Sequence, residues 1–218
     1  MDDLCQKIQF FRAQLPENGI LIAVSKTKPV ELIRKAYDCG HRDFGENKVQ
    51  ELRFKHLALP SSIRWHMIGH LQRNKVKYIA PFIHLIHSVD NEKLLTEINK
   101  QAAKNQRVID ILFQIKIARE ETKFGLTEEA YRDLTEKYAQ NHFPSVRLRG
   151  LMGMATNTQD KQQVRSEFAR LKSLFDQLKT RFPHIDYLSA GMSGDYPLAI
   201  EQGANIIRIG SAIFGKRQ

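Results

Sequence analysis

The stretch "ILIAVSKTKP", Ile20 to Pro29, runs from apolar residues into Ser25 and then presents two amines, Lys26 and Lys28, ahead of a proline. An amine at the carboxyl end of a buried strand can sit in a mouth with low-dielectric walls. Desolvation there disfavours the ammonium, lowers its pKa and makes the amine a nucleophile toward an aldehyde. Position alone favours a solvated strand-end lysine, and Lys28, beside Pro29, is expected to face solvent. A second signal is "RIGSAIFG", where Gly210 permits close backbone approach and Ser211 brings a hydroxyl and an N–H to an anion. The segment "GMSGD", Gly191 to Asp195, can offer Ser193 to the same anion. Each glycine cluster alone suits an ordinary tight turn, whereas the two together point to a phosphorylated ligand. Arg208 is a fixed interior cation if it points inward, and a surface residue paired with a helix carboxylate if it points outward. Asn47 is either a ligand contact or a polar residue in the first turn of its helix. His66 reads as a satisfied core histidine, with ligand contact as the alternative.

Such groups do chemistry together only if the fold gathers residues 26, 47, 193, 208 and 211 at one place. Leu4, Ile8, Phe11 and Leu15 describe one apolar helix face, which "PENG" breaks. Strand "ILIAVS" follows, then a helix opened by Pro29 and ended at Cys39-Gly40, then strand "RDFG". The alternation continues through helix "ENKVQELRFKHLA", strand "IRWHMIG", helix "LQRNKVKYIA" and strand "IHLIHSV". Asp90 is expected to cap the helix bearing Leu94, Leu95, Ile98 and Ala102, and Thr127 to start a later one after strand "VIDILFQIKI". Strand "RLRGLMGMA", a long helix on Val164, Phe168, Leu171, Leu174, Phe175 and Leu178, strand "IDYLSAG", a brief helix from Tyr196 and strand "NIIRIG" complete the series. Strands so continuously apolar suit a parallel sheet buried on both faces. The expected fold is α/β, a single (β/α)8 TIM-type barrel over residues 1–218 with an added N-terminal helix, and an open doubly wound sheet is the alternative. In a barrel the strand ends at Lys26, Asn47, His66, Met152, Ser193 and Arg208 would share one face.

At 218 residues, with 42% hydrophobic and 27% charged residues, the chain has ordinary globular composition. It shows no twenty-residue apolar run and no basic leader ahead of an apolar segment, so no membrane span is expected and the cytoplasm is the expected compartment. The formal charge of +10 is spread along the chain rather than clustered with aromatics, which argues against specific nucleic-acid binding. Cys5 and Cys39 are too few for a disulfide framework or zinc site and are expected as reduced thiols.

Taken in order, "AVSKTKP", "FGENKVQE", "WHMIGHLQRNK", "KFGL", "RLRGLMGMA", "LSAGMSGD" and "IIRIGSAIFGKR" resemble the family of pyridoxal 5′-phosphate (PLP) homeostasis proteins, of the alanine racemase amino-terminal-domain-like type. The resemblance runs from about Ile20 to Arg217. It implies that Lys26, and not Lys28, carries the PLP aldehyde as an imine, and that Asn47 lies beside the ring. It implies also that Ser193, Gly210 and Ser211 hold the phosphate, that Arg208 faces the pyridine nitrogen, and that Met152 and Met192 pack near the ring. Gly194 and Tyr196-Pro197 depart from the family pattern and affect the shape of that loop. A guanidinium leaves the pyridine neutral and weakens it as an electron sink. The resemblance implies that racemases with this handicap draw a second acid/base group from a further domain and a partner subunit, and no such domain is expected beyond the last barrel motif at Gln218. The expected function is therefore a non-catalytic PLP carrier in vitamin B6 and amino-acid homeostasis, a monomer, with apo-PLP enzymes as recipients. The alternative is a weak PLP-dependent racemase or lyase.

Overall fold

The amino-terminal apolar spacing becomes α1 (Asp3–Ala13), which buries Leu4, Ile8 and Phe11. In the computed structural model, residues 3–120 and 123–215 are described. Strand and helix then alternate: β1 (Ile20–Val24), α2 (Val30–Asp38), β2 (Asp43–Glu46), α3 (Val49–Ala58) and β3 (Arg64–Met67). A 3-10 helix (Arg73–Tyr78) leads to β4 (Leu85–Val89), α4 (Glu92–Lys104), β5 (Ile109–Ile115), α5 (Glu128–Ala139) and β6 (Val146–Gly153). The chain continues through α6 (Lys161–Arg181), β7 (Tyr187–Ser189), α7 (Tyr196–Glu201), β8 (Ile206–Ile209) and α8 (Ser211–Phe214).

All strand pairs are parallel, in the order β1 to β8, and the sheet closes because β1 pairs with β8 in the register Ile20 with Ile206 through Ala23 with Ile209. The (β/α)8 barrel with an added amino-terminal helix is thus the fold, and the open doubly wound sheet is excluded. Period-2 alternation divides the strand residues between two cores. Leu21, Ala23, Phe44, Trp65, Ile111 and Ile207 pack outward under the helices, while Ile22, Leu85, Leu112, Met152 and Ile206 fill a smaller cluster inside the barrel. At the amino-terminal end of the strands, Arg64 pairs with Asp43, Arg147 with Asp110, and Arg149 with both Asp110 and Asp186.

The helix bearing Leu94 is capped one residue later than the pattern suggests. Asn91 accepts from the N–H of Leu94 at 2.8 Å, while the Asp90 carboxylate accepts from the Asn91 amide and lies 3.1 Å from His70 Nδ1. Within the segment "LQRNKVKYIA", Arg73–Tyr78 forms a 3-10 helix instead of an α-helix, burying Val76, and the Ile79 N–H closes it onto the Val76 carbonyl at 3.0 Å. The cysteines correct the reduced-thiol expectation: α1 packs on α2 and brings Cys5 and Cys39 together as a disulfide, with Cα atoms 5.4 Å apart. Among the described residues no helix is long and apolar enough to cross a membrane.

Candidate functional site

The carboxyl ends of the strands surround a cavity of about 380 Å³, lined by Lys26, Asn47, Met192, Ser193, Arg208, Gly210 and Ser211 together with Val24, Lys28, Ile68, Met154, Gly194 and Gly215. Lys26 follows β1 by two residues, so the alternation that turns Ile22 inward also carries Val24 and Lys26 into the mouth. Lys28 is half-buried and lines the same cavity, so it is less solvent-facing than its place beside Pro29 suggests. Asn47 is held at the end of β2 by a close backbone approach: a Cβ on Gly69 would fall 2.5 Å from the Asn47 carbonyl oxygen.

The loop after β7 begins with Gly191 at φ +89°, a left-handed turn suited to glycine, and the Met192 N–H donates to the Asp195 carboxylate at 2.6 Å. That turn presents Ser193, whose Oγ lies 3.5 Å from the Ser211 Oγ at the start of α8. First-turn N–H groups of a helix have no intrahelical acceptor, so this rim supplies hydroxyl and amide donors to an anion. Met192 is 38% exposed at the rim. Met152 lies deeper, fully buried in the cluster inside the barrel, and Met154, just past the end of β6, is the methionine that lines the cavity there.

Arg208 resolves inward and is only 4% exposed. It donates to Ser189 Oγ at 2.6 Å and to the Gly153 carbonyl at 3.1 Å. Burial drives its pKa down to about 10, with the Asp195 charge opposing. From Ser189 a chain of contacts continues through the barrel. Ser189 Oγ is 3.0 Å from His87 Nδ1, His87 Nε2 is 3.0 Å from His66 Nδ1, and His66 Nε2 is 3.1 Å from Asp43 Oδ1. With protons assigned to Nε2 of both rings, donation runs in one direction from the Arg208 cation to the Asp43 anion and leaves none of these nitrogens idle. Burial holds the His87 ring far below its ordinary pKa, with the charges of His66 and Arg208 adding to the effect. Burial alone would raise Asp43, but hydrogen bonds from Arg64 and His66 outweigh it and hold the carboxyl well below the usual range. His66 is therefore a hydrogen-bonded core histidine, outside the cavity lining.

The cavity thus combines an amine and a hydroxyl-and-amide rim with a buried guanidinium. A carbonyl carbon suits the first, a phosphate the second and a ring acceptor the third. Val24, Ile68 and Met154 were within reach of strand alternation, whereas the Ser189–His87–His66 chain joins strands distant in sequence and has no local signature.

A family model described as alanine racemase, N-terminal domain matches residues 1–218. A relative from Aquifex aeolicus (strain VF5), called pyridoxal phosphate homeostasis protein, is 42% identical over 200 residues, covering 91% of this chain and 87% of its own. A protein of the same name from Escherichia coli (strain K12) is 41% identical over 209 residues, covering 93% and 87%. Among solved structures, PipY of Synechococcus elongatus PCC7942 without PLP is similar with a TM-score of 0.90 at 34% identity, covering 98% of this chain and 100% of that one. PipY with PLP bound is similar with a TM-score of 0.87 at 33% identity and the same coverage. The alanine racemase of Bartonella henselae, at 15% identity and a TM-score of 0.75, shares the barrel fold. The chain belongs to the alanine racemase N-terminal-domain family, and within it to the pyridoxal phosphate homeostasis proteins.

Proposed function

We propose that this protein binds PLP and serves in its homeostasis as a non-catalytic carrier, holding the cofactor through Lys26 as an imine. The observation that carries the reading is that Lys26, the Ser193–Ser211 hydroxyl pair and Arg208 line one cavity, so an amine, a pair of hydroxyls and a buried guanidinium lie within one ligand's reach. PLP bound there would supply a conjugated aldehyde able to withdraw electrons from an attached amine. The Lys26 amine would attack that aldehyde carbon and water would leave. Ser193, Ser211 and the backbone beside Gly210 would hold the phosphate, and Asn47, Met192 and Met154 would flank the ring, with Met152 packed beneath the cavity floor instead of against the ring. Arg208 would present N–H groups to the ring nitrogen. A guanidinium donates a hydrogen bond without giving up its proton, which keeps the ring neutral and disfavours carbanion chemistry.

On this reading the protein acts as one barrel domain and as a monomer in the cytoplasm, where apo-PLP enzymes would receive the cofactor and vitamin B6 and amino-acid balance would follow. Purified protein incubated with PLP should absorb near ~420 nm, as a protonated imine of this cofactor does, and borohydride should fix the label on Lys26. Lys26→Ala should lose the band, while Lys28→Ala keeps it. A band that survives Lys26→Ala would refute the assignment.

One observation favours a second reading, a weak PLP-dependent racemase or lyase: Lys28 brings a second amine to the same cavity. Rapid exchange of the Cα proton of L-amino acids in deuterated water, lost in Lys28→Ala, would establish that reading in place of the carrier.

A further inference from the structure

Behind the strand end that bears Lys26 lies a cluster of charges that the cavity does not use. Lys55, on α3, is 2% exposed, and its ammonium spends its three donors on three oxygens. It donates to the Ser25 carbonyl at 2.7 Å, to Glu46 Oε1 at 2.8 Å and to Glu51 Oε1 at 2.6 Å. The Ser25 hydroxyl donates to the same Glu46 oxygen at 2.6 Å. On the other side of Lys26, the Thr27 N–H donates to Glu51 Oε1 at 2.5 Å. Both peptide neighbours of Lys26 are therefore tied to one buried ion cluster.

The tie holds an uncommon backbone. Thr27 has φ +64°, in the left-handed region that a β-branched residue rarely adopts, and such outliers persist only where surrounding contacts over-determine them. Net stability is a poor explanation for the cluster. Desolvating an ammonium and two carboxylates offsets much of their mutual attraction, and Glu46 Oε2 is buried with no hydrogen-bond partner. Burial pushes the Glu46 carboxyl above its ordinary range, with Lys55 opposing. The sequence "GENKVQELRFK" gains a reason for its spacing, since Glu51 and Lys55 stand one helical turn apart on the face of α3 turned to β1 and β2.

We propose that Glu51 and Lys55 are positioning residues that latch the backbone on both sides of Lys26, so that its amine is aimed into the cavity for attack on a bound aldehyde. The inference rests on the PLP reading above. Its test uses two ligands: PLP, which borohydride fixes on the lysine, and pyridoxine 5′-phosphate, which has no aldehyde and reports the phosphate site alone. Glu51→Ala and Lys55→Met should each raise the PLP concentration needed for half-maximal borohydride labelling about tenfold or more, while pyridoxine 5′-phosphate affinity stays within about twofold. Adding Thr27→Gly, which removes the left-handed penalty, should restore most of the labelling lost in Glu51→Ala. Three results would overturn the latch: labelling as in the wild type, equal loss of both ligands, or no rescue by Thr27→Gly. Absence of labelling in the wild-type protein would instead overturn the PLP reading itself, and the latch with it.

Discussion

Single side chains divide here into those that meet a ligand and those that hold the first group still. Ser193 and Ser211 belong to the first set, and on the PLP reading each would give a phosphate oxygen a charge-assisted hydrogen bond. Both stand at a solvent-accessible rim, so each Ser→Ala change should weaken PLP binding by about tenfold, the lower end for bonds to charged groups. Their hydroxyls are 3.5 Å apart and would share one anion, so the double variant should lose less than the product of the single losses. Titration of the absorbance near ~420 nm checks both statements. Lys26, Ser193, Gly210 and Ser211 were legible in the sequence because each follows an apolar strand with a residue type that strand packing does not require. Ser189, His87 and Glu51 were not, because each matters through a partner on another element: Arg208, His66 or the Thr27 backbone.

Elements show the same division between local and distant causes. Apart from the cap of α4 and the 3-10 turn after β3, the helices stand where apolar spacing and capping place them; Thr127 accepts from the Ala130 N–H at 3.2 Å, as its position before two glutamates suggests. What spacing does not reveal is how α1 is attached. The Cys5–Cys39 disulfide closes a loop with a sequence separation of 34 and ties α1 to the end of α2. Loop-closure entropy for that length corresponds to about 3–4 kcal/mol. Reduction should therefore lower the melting temperature by several degrees, and Cys5→Ser should match the reduced protein and be insensitive to reductant. Thermal melts with and without dithiothreitol make the comparison. An unchanged melting temperature on verified reduction would show that α1 is held by Leu4, Ile8 and Phe11 alone.

For the molecule as a whole, buried histidines set the response to acid. Burial lowers His41 to about 4 from its ordinary 6.5, despite the hydrogen bond to the Asp43 carbonyl; His84, which keeps contact with solvent, is brought to about 4 by partial desolvation with the charge of His66 adding to it. The unfolded chain takes up these protons near pH 6.5 and the folded chain only near 4, so stability is lost as pH falls through that window. For His41 alone the loss is about 3 kcal/mol. Asp43, held low by Arg64 and His66, contributes stability that is present above its ordinary 3.8 and lost on further acidification. Melting temperature should fall in two stages from pH 7 to pH 3, and His41→Gln should lessen the first without abolishing it. A flat profile down to pH 4 would contradict the burial of His41.

Alternating apolar strands and helices, with polar or glycine residues at the strand ends, already specified a parallel α/β fold and a candidate anion-and-amine site, because period and turn chemistry act between near neighbours in the chain. Closure was different. It depends on Ile20 to Ala23 finding Ile206 to Ile209, a pairing that no local pattern encodes. The inward turn of Arg208, the histidine chain beneath it, the union of Cys5 with Cys39 and the ion latch behind Lys26 are likewise contacts between residues far apart in sequence. Burial in a closed barrel removes water as a partner, so such groups must find one another, and only the assembled fold specifies which do.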